Sequence, residues 1–429
     1  MAVRALPLAR ALAARGHAVT VLLPPWQNPE DAGRCWEESG VTVENIALPP
    51  RIPVLFHLLV ALRLARRALA LQPTVVHCFK PKAYSGLAHW LLARLPRRRR
   101  PRLVVDSDDW EGAGGWNEIG GYNAIQRTFF AWQERWGLTH ADAVTVASRT
   151  LEEMTRSLGV PPARVFYVPN GVSQIANHES RIADNSADHR PQTTDHATRN
   201  TPHVSRFTPH VSRFTPHVPP PTLLLYTRFF EFPPSRPLEL LLRVREKVPG
   251  TRLLVVGKGL FGEDEEFLRL ALSASPPLRV SPSPRLSLPA SPPPRVSASP
   301  PLPPADITLT GWLPPEALPA AFAQADLAIY PFDDTLINRA KCPVKLLDLL
   351  AAGLPVVAEA VGEIRELIRH GETGWLVAPG DLDGFAEGVV RLLDDPPLRE
   401  RLGRAAAADV RARRAWERLA ETVERAYDR

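Results

Sequence analysis

Along the first 172 residues the apolar positions switch repeatedly between two periods. Leu6, Leu8, Ala9 and Leu12 give a helical spacing that stops at Arg15-Gly16-His17. Residues 18–23 then form a β-branched apolar run that reads as a buried strand, and residues 41–46 read as a second. Residues 55–71 return to a helical period. Further strands end at His77, at Asp106 after residues 103–105, and at Ala147-Ser148 after residues 143–146. Strands that alternate with helices predict parallel β-α-β units. The pattern lapses after residue 172 and resumes with strands at 223–226, 253–256, 307–309, 327–330 and 356–357, with helices between them and at the C-terminus.

The lapse is compositional. Residues 173–221 are polar, and residues 201–207 (TPHVSRF) repeat at 208–214 before a third copy begins. A proline in every copy excludes a coiled coil, and so polar a tract has little to bury. Its histidines hold no fixed geometry for a metal. Residues 273–304, rich in Pro, Ser, Leu and Arg, read as an inserted surface loop. The expected plan is α/β: a Rossmann-like, doubly wound domain over 1–172, a linker or insertion over 173–221, a second such domain over 222–415, and a terminal helix over 416–429. Ligands of such sheets bind beyond the carboxyl ends of strands, so the two halves should face a common cleft.

Bulk numbers narrow the class. Apolar residues are 45% and charged residues 23%, ordinary for a globular protein, while the 46 prolines crowd into the two tracts. A formal charge of +6 reads as a mildly basic soluble protein or, more sharply, as attraction to anionic donors or an anionic membrane surface. Arg97 to Arg100 is the only dense basic run, which reads as a solvated loop, so nucleic acid is not an expected partner. Cys35, Cys78 and Cys342 form no C-x-x-C pair, so neither a disulfide framework nor a zinc site is expected, and a cytoplasmic setting fits. No apolar run reaches the roughly 20 residues that span a bilayer. Residues 1–16 read as a helix and not as a signal peptide.

Three stretches carry candidate chemistry. A helix bearing Asp348 ends at Gly353; its carboxylate could accept two hydroxyl hydrogen bonds, as ribose recognition requires, or be an exposed helical acid. Gly257-Lys258-Gly259 lies between a strand and a helix, where backbone N–H groups can approach a phosphate or simply make a tight turn. The densest acidic cluster, residues 106–111, follows a strand; Asp108 and Asp109 read as site residues or as turn caps.

Gly353-Leu354-Pro355-Val356-Val357, followed by Gly371-Glu372-Thr373-Gly374-Trp375-Leu376-Val377, resembles the donor-binding signature of the retaining GT-B glycosyltransferases, the glycosyl transferases group 1 (family 4-like). The resemblance implies transfer of a sugar from a nucleotide-diphosphate sugar, with retention, to a glycan or lipid-linked acceptor, and no metal or other cofactor. Asp348 falls on the second acid of the family's Glu-x7-Glu motif, which implies ribose binding. The first falls on Ala340, a departure at the donor sugar. Pro343-Val344-Lys345 fits a Pro-x-Lys variant, which makes Lys345 and Lys341 diphosphate contacts or else solvated charges. Arg228 matches the family's catalytic Arg. The Lys expected about five residues later is absent, and Arg236 is the next suitable cation. Gly257, Gly259 and Gly311 fall in the donor loops, with Gly311-Trp312 bordering the base. Asp108 or Asp109 stands where members often carry a His that contacts the donor sugar or acceptor, which makes Asp108 a catalytic candidate and Asp109 an acceptor-side one. His77, Lys80 and Lys82 are acceptor candidates, and Ser148 matches a position near the cleft.

One departure concerns the start. The family places a strand and a Gly-rich loop before the helix that ends in R-G-H; here Met1 falls at that helix. The central first strand is therefore expected to be missing, which would leave two neighbours with unpaired edges and suggests a fragment or a late start site. This and Ala340 motivate a second reading, a catalytically impaired nucleotide-sugar-binding relative. A Rossmann dehydrogenase is disfavoured because no G-x-G-x-x-G follows the first strand.

Overall fold

The computed structural model describes residues 3–50, 52, 55–172, 220–274, 278–282 and 306–428. The repeat-bearing segment and most of the Pro/Ser-rich tract lie outside them. The first half carries strands β1 (Val19–Leu23), β2 (Cys35–Glu38), β3 (Val41–Asn45), β4 (Val75–Phe79), β5 (Arg102–Ser107), β6 (Ala143–Val146) and β7 (Val165–Tyr167). Its helices are α1 (Ala5–Ala14), α2 (Leu55–Ala70), α3 (Ala83–Ala93), α4 (Trp116–Ile119), α5 (Ala124–His140) and α6 (Arg149–Ser157).

The second half contains β8 (Thr222–Tyr226), α7 (Arg236–Lys247), β9 (Arg252–Val256), α8 (Glu263–Ser273), β10 (Val280–Pro282) and β11 (Ile307–Leu309). Then come α9 (Leu318–Phe322), β12 (Leu327–Tyr330), α10 (Leu336–Ala340), α11 (Val344–Ala351), β13 (Val356–Glu359) and α12 (Ile364–Leu367). The chain closes with β14 (Trp375–Val377), α13 (Leu382–Asp394), α14 (Pro396–Arg413) and α15 (Trp416–Asp428).

The second half is one parallel sheet in the order β10-β11-β9-β8-β12-β13-β14. Its central strands are continuous apolar runs because helices cover both faces; Leu223, Leu224, Leu225, Ala328 and Val357 are buried. Strand order reverses between β8 and β12, and that switch point opens a crevice at their carboxyl ends. β10 falls inside the tract expected to be an unstructured loop. Val280 pairs with Ile307 and the adjacent Leu278 is buried, so the core extends into that tract.

The first half is split. β1-β3-β2 form one sheet and β4-β5-β6-β7 another, parallel one. β1 and β4 each end on an edge with no partner strand among the described residues, as expected for a sheet without its central strand. One apolar cluster bridges the gap: Val19 of β1, and Val75 and Phe79 of β4, pack with Leu8 and Leu12 of α1.

Helix α15 leaves the second half and packs on the first, where Trp416, Leu419 and Val423 join Val104, Phe166 and Val168. Buried polar contacts lock the two halves together. Ser148 Oγ donates to the Ala340 carbonyl at 2.7 Å, Asn170 Nδ2 donates to the Cys342 carbonyl at 2.8 Å, and the Arg149 amide donates to Glu363 Oε2 at 3.1 Å. At the cleft mouth Trp116 stacks on Phe230, centroids 4.7 Å apart.

Candidate active site

The loops after β8 and β12 and the start of α11 meet at the switch point. Lys345 and Asp348 lie three residues apart on α11 and so share a face. Lys345 Nζ sits 3.6 Å from the Tyr226 ring centroid and 5.0 Å from that of Trp312. Burial lowers Lys345 to a pKa of about 8, with Arg228 adding to the effect. Burial raises Asp348 to about 7 against the pull of Lys345. The Asp348 carboxylate takes no hydrogen bond from any described residue, so its acceptor capacity is open. Arg228 is partly exposed, and its nearest carboxylate is Glu231 at 3.8 Å. Lys345, Asp348, Arg228 and Trp312 thus bring two cations, a carboxyl group and one exposed aromatic to the same crevice, Trp312 being 55% exposed.

The other cations expected here are engaged. Arg236 Nη1 lies 2.7 Å from Asp333 and 3.0 Å from both Glu359 oxygens. Glu359, buried, also accepts from the Phe332 and Gly380 amides at 2.6 and 2.7 Å. Arg236 therefore neutralises a carboxylate that ties together the loops after β12 and β14, and it is not free to serve as a diphosphate cation. Lys341 is buried, ion-paired with Glu231 at 3.1 Å and ringed by Phe230 and Trp116 at 4.6 and 5.0 Å. Burial lowers its pKa, and Glu231 opposes the shift. It braces the floor of the cleft beneath the aromatic stack.

The glycines divide. The Gly257 amide donates to the Gly311 carbonyl at 2.9 Å, so it is not available to a phosphate. Its φ is +124°, and a Cβ there would stand 1.9 Å from the Thr227 carbonyl oxygen, so glycine is required for the approach of β8 to β9. Gly259 lies in a loop whose amides at 258–260 bond to no described residue. That loop runs into α8, whose first turn carries Glu263, Asp264, Glu265 and Glu266. Four acids already complement that helix dipole and repel a phosphate, so the positive charge must come from elsewhere. Gly311, at φ +66°, sets the turn that presents Trp312. Gly353 follows the far end of α11, nine residues and about 14 Å from Val344. It packs near Gly403 of α14 and does not reach the crevice.

Facing this group across the cleft are Lys80, Lys82, Asp109, Glu111, Trp116 and Tyr122, which with Arg228 and Leu260 line a cavity of about 320 Å³. Lys80 contacts Asp109 at 2.8 Å and Asp108 at 3.5 Å, and Lys82 contacts Glu111 at 2.7 Å. Burial alone would lower the Lys80 ammonium; Asp108 and Asp109 hold it above its usual range. Asp108 lies behind Lys80, and burial raises it to about 6 despite that partner. The wall offers alternating charges suited to hydroxyl-rich or zwitterionic groups. Among the described residues no group of three or more His, Cys, Asp or Glu is arranged to hold a metal ion.

Two acceptor-side candidates are placed elsewhere. His77 bonds Tyr427 Oη at 3.0 Å and Thr145 Oγ1 at 3.1 Å beneath α15, and burial lowers it to about 4. It is a neutral packing histidine because β4 turns it toward that helix. Ser148 is fully buried, capping α6 through Leu151 N while clamping Ala340. Ala340, standing where the resemblance expects a Glu, is fully buried at the same contact. Sequence reasoning missed Tyr226, Glu231 and Trp116. Tyr226 had a signal, a polar-tipped aromatic ending a buried strand. Glu231 and Trp116 had none, because each acts through a partner distant in sequence.

Comparison with known proteins bears on this arrangement. Residues 1–171 match the glycosyl transferase 4-like domain, and residues 291–395 match the glycosyl transferases group 1. The chain is 28% identical over 175 residues to the sulfoquinovosyl transferase SQD2 of Arabidopsis thaliana, a stretch covering 40% of this chain and 27% of that protein. It thus spans about a quarter of that relative's length. Sucrose-phosphate synthase from Thermosynechococcus elongatus superposes with a TM-score of 0.62 at 19% identity, covering 97% of this chain and 90% of that one. Anabaena HepE, solved in complex with UDP-glucose, superposes at 0.57 and 16% identity, covering 98% and 94%.

Proposed function

The chain belongs to the group 1 glycosyltransferases and has the GT-B fold, and on that premise we propose that it transfers a sugar from a nucleotide-diphosphate sugar, with retention at the anomeric carbon. The observation that carries the reading is the open group at the β8/β12 switch point. Asp348 has an unoccupied carboxylate for the ribose hydroxyls, Trp312 an exposed ring for the base, and Arg228 and Lys345 two cations for the diphosphate. Charge that develops on a leaving diphosphate is stabilised most by groups already in place, and Arg can do so bidentately. Lys345 is held by the Tyr226 ring and needs no reorganisation to meet the phosphates. UDP-sugar is the donor class favoured, since HepE was solved with UDP-glucose. Lys80, Lys82, Asp109 and Glu111 would bind the acceptor, and Asp108 would act through Lys80.

The test uses the purified chain with a panel of UDP- and GDP-sugars, following thermal shift, release of nucleoside diphosphate, and the anomeric configuration of any product by NMR. The expected result is stabilisation by a UDP-sugar with slow release of UDP, both lost in Asp348→Asn. If no nucleotide sugar stabilises the chain, the reading fails. Stabilisation without release or transfer would instead favour the impaired relative.

A further inference from the structure

Arg4, the residue before α1, is 3% exposed and takes no part in the chemistry proposed above. Its fork holds the Asp106 carboxylate at both oxygens, Nε to Oδ1 at 2.7 Å and Nη2 to Oδ2 at 2.6 Å. The third nitrogen, Nη1, donates to Asn170 Oδ1 at 3.2 Å. Burial alone would lower the guanidinium; Asp106 holds it above its usual range. Three distant stretches of chain thus meet on one side chain, since Asp106 and Asn170 lie 102 and 166 residues from Arg4.

From this point one arm runs to each wall of the cleft. Asp106 lies near the end of β5, is fully buried, and also accepts from Thr145 Oγ1 at 2.5 Å. Its carbonyl accepts the Lys80 amide at 3.0 Å, and Lys80 in turn pairs with Asp108 and Asp109. Burial raises Asp108, and the charges of Lys80 and Arg4 oppose the rise. The other arm crosses to the second half. Asn170 Nδ2 donates to the Cys342 carbonyl at 2.8 Å, and the Asn170 amide donates to Cys342 Sγ at 3.3 Å. Pro343 follows, and then α11 with Lys345 and Asp348. A carboxamide suits this junction because Arg only donates and a carbonyl only accepts, so the side chain between them must do both. Arg4, Asp106 and Asn170 do not line the cleft cavity, so any effect they have on transfer passes through the residues they hold.

Taking α11 as the donor side and the Asp108 loop as the acceptor side, as proposed above, we infer that Arg4 is a positioning residue for the transfer: through Asp106 and Asn170 it keeps the two walls in register. Lysine cannot replace it, because a single ammonium lacks the planar fork that meets Asp106 twice and Asn170 once. A shift of about 1 Å between reacting groups costs up to about 10²-fold in rate. The donor groups on α11 would stay intact relative to one another, so the loss belongs in kcat and not in donor affinity.

Two variants each break one arm. Arg4→Lys keeps a charge beside Asp106 and loses the fork. Asn170→Asp keeps an acceptor for Arg4 and loses the donor to Cys342. The first readout is labelling of the native full chain with dithiobis(nitrobenzoate) in a Cys35→Ser background, which removes the exposed thiol. Peptide mass spectrometry then separates Cys342, at the seam, from Cys78, buried within the first half, which serves as the control. Both variants should speed Cys342 labelling about tenfold or more, with Cys78 unchanged. The second readout is release of UDP from UDP-glucose. Its kcat per folded molecule should fall about tenfold or more, while KM and the thermal shift given by UDP stay as in the parent. The thiol readout needs no donor: a chain that binds no nucleotide sugar sinks the functional reading, and Cys342 labelling still decides whether Arg4 holds the seam. Unchanged Cys342 labelling in both variants overturns the inference. So does a lowered melting temperature with kcat per folded molecule intact, which would leave Arg4 a stabilising residue only.

Discussion

Asp348 stands three residues beyond Lys345 on α11, and burial draws the two groups toward a common pH, the carboxyl up to about 7 and the ammonium down to about 8. Each is disfavoured in the form that a donor needs. A carboxylate accepts the ribose hydroxyls, so below about pH 7 binding must first expel a proton, and affinity should fall about tenfold per unit. A phosphate needs the ammonium, so above about pH 8 affinity should fall again. Titration calorimetry with UDP-sugar from about pH 5 to 9 should give a bell centred between the two values. Asp348→Asn should weaken binding throughout and abolish the acid limb while leaving the alkaline one. A limb that survives unchanged would assign it to another group.

Arg228 and Arg236 look equivalent in sequence and should behave oppositely. Arg228→Ala leaves only Glu231, 3.8 Å away, without its weak partner, and stability should hardly change. Its kcat should drop about 10²- to 10³-fold, the usual cost of one preorganised charge. Arg236→Ala strands Glu359, which is buried among two backbone amides. Removing one member of such a pair costs about 3 kcal/mol, so the melting temperature should fall by several degrees. Activity per folded molecule should suffer far less. Parallel measurement of kcat and thermal melting separates the two.

Gly257 is legible as a glycine that matters, but for a reason the sequence did not display. Substitution by Ala would put a Cβ 1.9 Å from the Thr227 carbonyl at a φ of +124°. The expected loss is about 3 kcal/mol, at the upper end for a single change, seen as a lower denaturation midpoint. Gly259→Ala meets flexible acid side chains instead, at Asp264 and Glu263, and should cost much less.

The contrast between these glycines shows what a single chain reveals. Strand and helix order followed directly from periodicity, because buried parallel strands such as Leu223–Leu225 are uniformly apolar. The split in the first sheet was also readable, since a missing strand leaves a gap in a known alternation. Asp348 and Lys345 were legible because one helix fixes their spacing. Residues whose role is set by long-range pairing were not. Arg236 and Lys341 read as free cations until Glu359 and Glu231, 123 and 110 residues away, were in place. His77 and Ser148 read as cleft residues because a strand's end is visible in sequence, whereas the side it turns to is set by the later helices α15 and α10. The start of the second tract misled for a related reason: Leu278 is buried in a cluster with Phe267 and Ile307, while its own neighbours in sequence are Pro, Arg and Ser.

The two open edges carry a measurable consequence. Alternate amides of a parallel strand point to each side, so among the described residues β1 and β4 each leave a set without a strand partner, while β5 and β6 are paired on both sides. The residues that cover the gap, Val19, Val75 and Phe79, are only partly buried. Local opening there should be cheap compared with global unfolding. Hydrogen exchange of the purified chain should show residues 19–23 and 75–79 exchanging well before 103–107 and 143–146. An apolar β-strand peptide added in trans should slow exchange at both edges together, because one strand would satisfy both. Protection of both edges equal to that of β5 in the free chain would mean that something other than α1 and α15 already closes the gap.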